Sequence, residues 1–128
     1  MTDLSGSSTY IWQNFITYAN EAKVKLVGVS SDTLDRVGAV AHETAAEMAR
    51  GVRLVIGADI GVSTTGIAGP GGGSEEKPVG TVYVGISTKD GETVKKLSLS
   101  SMKSRSYIRN VSSNHAFSLI LGVSNDKK

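Results

Sequence analysis

The sequence predicts an α/β domain of three layers, with helices on both faces of a mixed sheet, and three observations carry that reading. β-Branched and aromatic runs alternate with helical stretches along the chain. The stretch 42–56 keeps its apolar residues at helical spacing throughout. An Asp90-Gly91 pair separates two strand-like runs, where glycine supplies the positive φ of a tight hairpin. The 128 residues suit one domain, 1–128, with a modest core.

The elements follow in order. Tyr10, Ile11, Trp12, Phe15, Ile16 and Tyr18 make 10–18 read as a strand. Asn20 can cap a short helix, with Glu21 at the positive end of its dipole. Val24, Leu26 and Val27 would be its apolar side, and Gly28 its stop. Ser30-Ser31-Asp32 opens a second short helix carrying Leu34 and Val37, which Gly38 ends. In 42–56, Ala45, Met48, Ala49, Val52 and Ile56 share one face. The small residues Ala45, Ala46, Ala49 and Gly51 would let this helix lie close to a sheet, and Gly57 stops it. Strands are expected at about 59–64 and 80–87, then a turn at Lys89–Glu92 and a strand from Thr93 to Ser100. A last helix over about 103–122 offers Tyr107, Ile108, Val111, Ala116, Leu119 and Ile120 to the core. Its serines and asparagines weaken it by propensity.

Composition narrows the function. A chain 39% hydrophobic and 20% charged reads as soluble and globular. Its net charge of +2 makes no case for nucleic-acid binding. Lys95-Lys96 and Lys127-Lys128 read as solvated surface. The absence of cysteine excludes disulfides, thiolate nucleophiles and cysteine metal sites. His42 and His115 lie too far apart for a sequence-local zinc site. No apolar run approaches the roughly 20 residues of a membrane helix. Met1–Ser5 has neither the basic nor the apolar region of a secretory leader, so a cytoplasmic protein is the default.

Chemistry points first to Thr65-Gly66-Ile67-Ala68-Gly69-Pro70-Gly71-Gly72-Gly73. So many glycines cost conformational entropy. The return is close approach of backbone to a ligand, or convergence of N–H groups on an anion. The run is neither a Walker A loop nor a GxGxxG fingerprint, since Ser74-Glu75-Glu76-Lys77-Pro78 follows it. Taken alone it fits a ligand site or a flexible connector. Lys23 falls in the first turn of its helix, where burial would lower its pKa and make it a general base. A surface lysine beside a core Tyr18 is the other reading. Arg105 and Arg109, four apart, form either a phosphate clamp or a solvated helix face.

Three groups of residues together carry a resemblance. They are Gly6-Ser7-Ser8, the run from Tyr18-Ala19-Asn20-Glu21-Ala22-Lys23 to Val29, and the run from Ser63 through Gly73 to Lys77-Pro78-Val79-Gly80-Thr81-Val82-Tyr83. In this order and at about this spacing, over nearly the whole chain, they resemble the CinA C-terminal domain, a family of nicotinamide mononucleotide deamidases. The resemblance implies hydrolysis of a carboxamide, turning nicotinamide mononucleotide into nicotinic acid mononucleotide and ammonia. It implies no metal, no cofactor, and a small pyridine nucleotide as partner. It assigns Tyr18 and Lys23 to assist a serine nucleophile. Thr65, Gly66, Ala68, Gly69, Gly71, Gly72 and Gly73 would hold the substrate, with Arg105 and Arg109 where the family often carries arginines.

One departure matters. The family's nucleophile lies in a Glu-Ser-Cys-Thr-Gly-Gly segment well before the Gly-Ser-Ser motif, and this chain contains no cysteine. The expectation is a domain incomplete at its N-terminus, lacking its first strand and most of its first helix. Ser7 and Ser8 are then either turn residues or substitute nucleophiles. The alternative to a working amidase is an inactive remnant that binds a nucleotide or serves assembly. A strand edge left unpaired would favour a homo-oligomer.

Overall fold

The structure, a computed structural model, describes residues 5–9, 11 and 13–126. A 3-10 turn at Ser7–Thr9 precedes three helices, α1 (Asn20–Val27), α2 (Ser31–Val37) and α3 (His42–Ile56). Strands β1 (Gly61–Gly66), β2 (Thr81–Thr88) and β3 (Gly91–Ser98) follow, then α4 (Arg105–Asp126). The sheet order is β1-β2-β3 and both pairings are antiparallel, with Ser63 opposite Gly85 and Val82 opposite Leu97. Helix α3 covers one face, carrying α1 and α2 on its outer side, and α4 covers the other. The α/β class holds.

The two faces are built differently. On the α4 face Val82, Val84 and Leu97 pack against Ile108 and Ala116 as a small apolar core. Each fully buried aliphatic there is worth about 1.5–3 kcal/mol. The α3 face presents Gly61, Ser63, Gly85 and Ser87. A Cβ on Gly85 would stand 2.7 Å from Ser63 Oγ and 2.9 Å from the Ala45 carbonyl carbon. The helix therefore rests almost directly on the strands, and hydrogen bonds replace apolar volume. Ser63 Oγ donates to the Ala45 carbonyl at 2.6 Å, and Arg53 Nε donates to Ser87 Oγ at 2.9 Å.

Several expectations need correction. Residues 13–18 form no strand, and Tyr10 and Trp12 lie outside the described residues, as do residues 1–4 and Lys127-Lys128. β-Propensity needs a neighbouring strand to pair with, and none is offered to 13–18 among the described residues. The sheet is consequently antiparallel throughout rather than mixed. Helix α1 turns Lys23 and Val27 inward, one helical turn apart, and leaves Val24 and Leu26 exposed. Tyr107 is exposed, whereas Ile108 and Ala116 of α4 are buried. Ser112 is buried beside them, its hydroxyl donating to the Ile108 carbonyl at 2.6 Å. The start of α2 is held from α3. Glu47 accepts the Ser30 N–H at 2.8 Å and the Thr33 hydroxyl at 2.5 Å, placing a carboxylate at the positive end of that helix.

Candidate functional site

The glycine loop leaves β1 and returns to β2, and its neck is closed by backbone. Ile67 N–H donates to the Thr81 carbonyl at 2.9 Å, and Gly80 N–H donates to the Ile67 carbonyl at 2.8 Å. Between these, Gly69, Gly72 and Gly73 adopt φ of 74°, 80° and 89°, which side chains rarely tolerate. The far end is a tight turn. Ser74 N–H donates to the Lys77 carbonyl at 2.9 Å, and Lys77 N–H returns to Ser74 Oγ at 3.1 Å. Gly71, Gly72 and Gly73 are exposed, and among the described residues their N–H groups donate to no backbone carbonyl.

Beside the loop, β1, β2 and α4 enclose an open cleft of about 220 Å³. It is lined by Thr64, Thr65, Gly66, Ala68 and Arg109 together with Val82, Ile108, Ser112 and Ser113. Of the residues predicted from sequence, Thr65, Gly66, Ala68 and Arg109 thus meet in one place. Arg105 does not line the cleft. Its Nη1 donates to the Gly69 carbonyl at 2.9 Å, so it grips the loop. The Thr65 hydroxyl is likewise engaged, donating to the Ala39 carbonyl at 2.7 Å. Sequence reasoning gave Ile108 to the core and Val82 to a family motif, and assigned none of Val82, Ile108, Ser112 and Ser113 to the site. Only Ser113 carried a signal, one helical turn beyond Arg109 on the same face.

Tyr18 and Lys23 do not line this cleft and have opposite environments. The Tyr18 residue is 92% exposed and Lys23 only 6%. Lys23 Nζ donates to the Thr17 carbonyl at 2.6 Å. Burial holds its ammonium pKa below the usual lysine value, because the charged form is the one that loses water. Ser7 sits in the N-terminal turn, its carbonyl accepting the Ile11 N–H at 2.9 Å. The side chain of Ser8 lies outside the described residues. Among the described residues no cluster of three or more His, Asp or Glu could hold a metal ion, and no helix is long and apolar enough to cross a membrane.

Chemically, the loop and cleft offer exposed glycines on a shaped loop and one guanidinium; apart from them, α1 carries a buried amine whose pKa burial lowers. Known proteins share this arrangement of chain. A CinA-like protein of Shewanella pealeana is 45% identical over 120 residues, covering 94% of this chain and 28% of its own. The solved competence/damage inducible protein CihA of Agrobacterium tumefaciens is 37% identical, with a TM-score of 0.82 over 86% of this chain and 67% of its own. A solved CinA superfamily protein of Escherichia coli is 29% identical, with a TM-score of 0.79 over 85% of this chain and 62% of its own. The chain therefore spans under a third of the length of that Shewanella relative. The family model of the CinA C-terminal domain matches residues 1–123, and with that match this chain belongs to the CinA C-terminal domain family.

Proposed function

We propose that this chain is the nucleotide-holding, base-bearing part of an amidohydrolase that converts nicotinamide mononucleotide to nicotinic acid mononucleotide and ammonia. The observation that carries the reading is Lys23. It is a buried amine with no carboxylate partner among the described ion pairs and with a lowered pKa. When deprotonated, a lysine amine of this kind can take a proton from a hydroxyl nucleophile attacking a carboxamide. The exposed donors of Gly71, Gly72 and Gly73 suit an oxyanion or a phosphate. Arg109 supplies the cation that phosphate recognition favours.

Binding without hydrolysis is the second reading, and the exposure of Tyr18 favours it. A tyrosine 92% exposed is not held against the amine it would assist. Ser112 offers no ready nucleophile either, its hydroxyl being bound to the Ile108 carbonyl. Incubation with nicotinamide mononucleotide, following ammonia, with calorimetry on the same sample, separates the two. Ammonia release supports the amidase. Heat of binding without ammonia supports the binding module, and neither signal sinks both. In the same calorimetry Arg109→Gln is expected to weaken nucleotide binding about ten-fold, the size of one charge-assisted contact. Unchanged affinity would remove Arg109 from the site.

A further inference from the structure

We infer that Arg105 and Lys77 are positioning residues that fix the glycine loop from its two ends, so that the loop is set before any ligand arrives. Loops built of glycine are floppy unless something outside them supplies restraint, because each glycine has the largest backbone freedom to lose. Here two cations supply it through carbonyl oxygens. Arg105, the first residue of α4, reaches 36 positions back to the Gly69 carbonyl at 2.9 Å. Lys77 closes the far turn with its backbone, while its Nζ donates to the Val37 carbonyl at 2.5 Å. Val37 is the last residue of α2, where the helix dipole leaves carbonyls that favour a cation. One end of the loop is therefore tied to the α4 layer and the other to the α3 layer. Pro70, the three glycines and Ser74-Glu75-Glu76 span the gap between the ties, exposed.

The arrangement explains why two positive side chains next to the glycine loop are not themselves in the cleft. Their charge is spent on main-chain oxygens. It also makes Arg105 and Arg109, one turn apart on α4, different in kind: the first shapes the loop and the second faces the cleft.

The primary test needs no ligand. Backbone 15N relaxation on the full chain is expected to give Gly69 and Gly71–Gly73 order parameters near the rigid value of about 0.85. Arg105→Gln and Lys77→Met should each lower them below about 0.6, with β2 and β3 unmoved. Arg105→Lys, which can still donate to Gly69, should recover most of the order. A loop already mobile in the parent overturns the inference, and so do loop order parameters unchanged in both variants. The second arm rests on the nucleotide reading proposed above. Arg105→Gln should weaken nicotinamide mononucleotide binding about ten-fold, the size of a lost charge-assisted tie, with Arg105→Lys restoring it. A parent that binds no nucleotide sinks that reading, and the relaxation result still decides the positioning role.

Discussion

Gly51→Ala is expected to destabilise the protein by about 2–3 kcal/mol, the range for forcing a methyl into a filled contact. Gly51 lies inside α3, where alanine is normally the better residue by about 1 kcal/mol. Propensity alone therefore predicts a gain. Packing opposes it. A Cβ there would come within 2.6 Å of the Val27 carbonyl carbon and closer still to its oxygen. These are backbone atoms at the end of α1, so no side-chain rotation relieves the clash, and α1 must move off α3. Gly122→Ala is the matched control. It is also within a helix, α4, but its added Cβ meets nothing within 4 Å, so propensity acts unopposed. Urea unfolding of the two variants should shift in opposite directions. A stabilised Gly51→Ala would mean that α1 is not seated on α3 as described. Because α1 carries Lys23, the same variant should also disturb the amine's burial, which ties a packing defect to the chemistry.

That contact illustrates what could be read from sequence and what could not. The periodicity of 42–56 was legible because burial and helical repeat coincide, and Ala45 and Ala49 are buried as expected. The hairpin was legible because Asp90-Gly91 fixes a turn locally, and Gly91 does take a positive φ, 128°. The small residues of α3 foretold a close approach to the sheet, but not that Gly51 faces α1. Residues 13–18 misled because strand propensity describes a preference that only a partner strand can satisfy. In α1 Val27 is buried as its apolar character predicts, but Val24 and Leu26 are exposed, because an eight-residue helix has too few turns for hydrophobicity to choose the buried face. Tertiary contact chose it, and put a lysine there. Arg105 stood out in the sequence as a phosphate ligand, but its grip on the loop was not legible, for a similar reason. Its acceptor, a carbonyl 36 residues away, leaves no trace in side-chain pattern.

Lys23→Ala should abolish most hydrolysis, by roughly 10²–10⁴-fold, the contribution typical of a general base. Nucleotide affinity should change far less, since Lys23 does not line the cleft. Activity retained in the variant would remove Lys23 from the mechanism. Its protonation gives an independent check that needs no substrate. The folded-state pKa lies below the unfolded reference of 10.5, and burial is the cause. Below the folded value both states hold the proton, and the full cost of a buried charge is present. Between the folded value and 10.5 the unfolded chain binds more protons than the native one, so stability rises with pH across that window. Lys23→Met keeps apolar volume and lacks the titration. The stability of the parent relative to Lys23→Met should therefore climb as pH rises toward 10, as measured by urea unfolding of both proteins at matched pH. Parallel profiles would show that the amine is as well solvated folded as unfolded. A base with that property would have no bias toward its neutral form, and the rise of kcat/KM with pH that the amidase reading requires would lose its physical source.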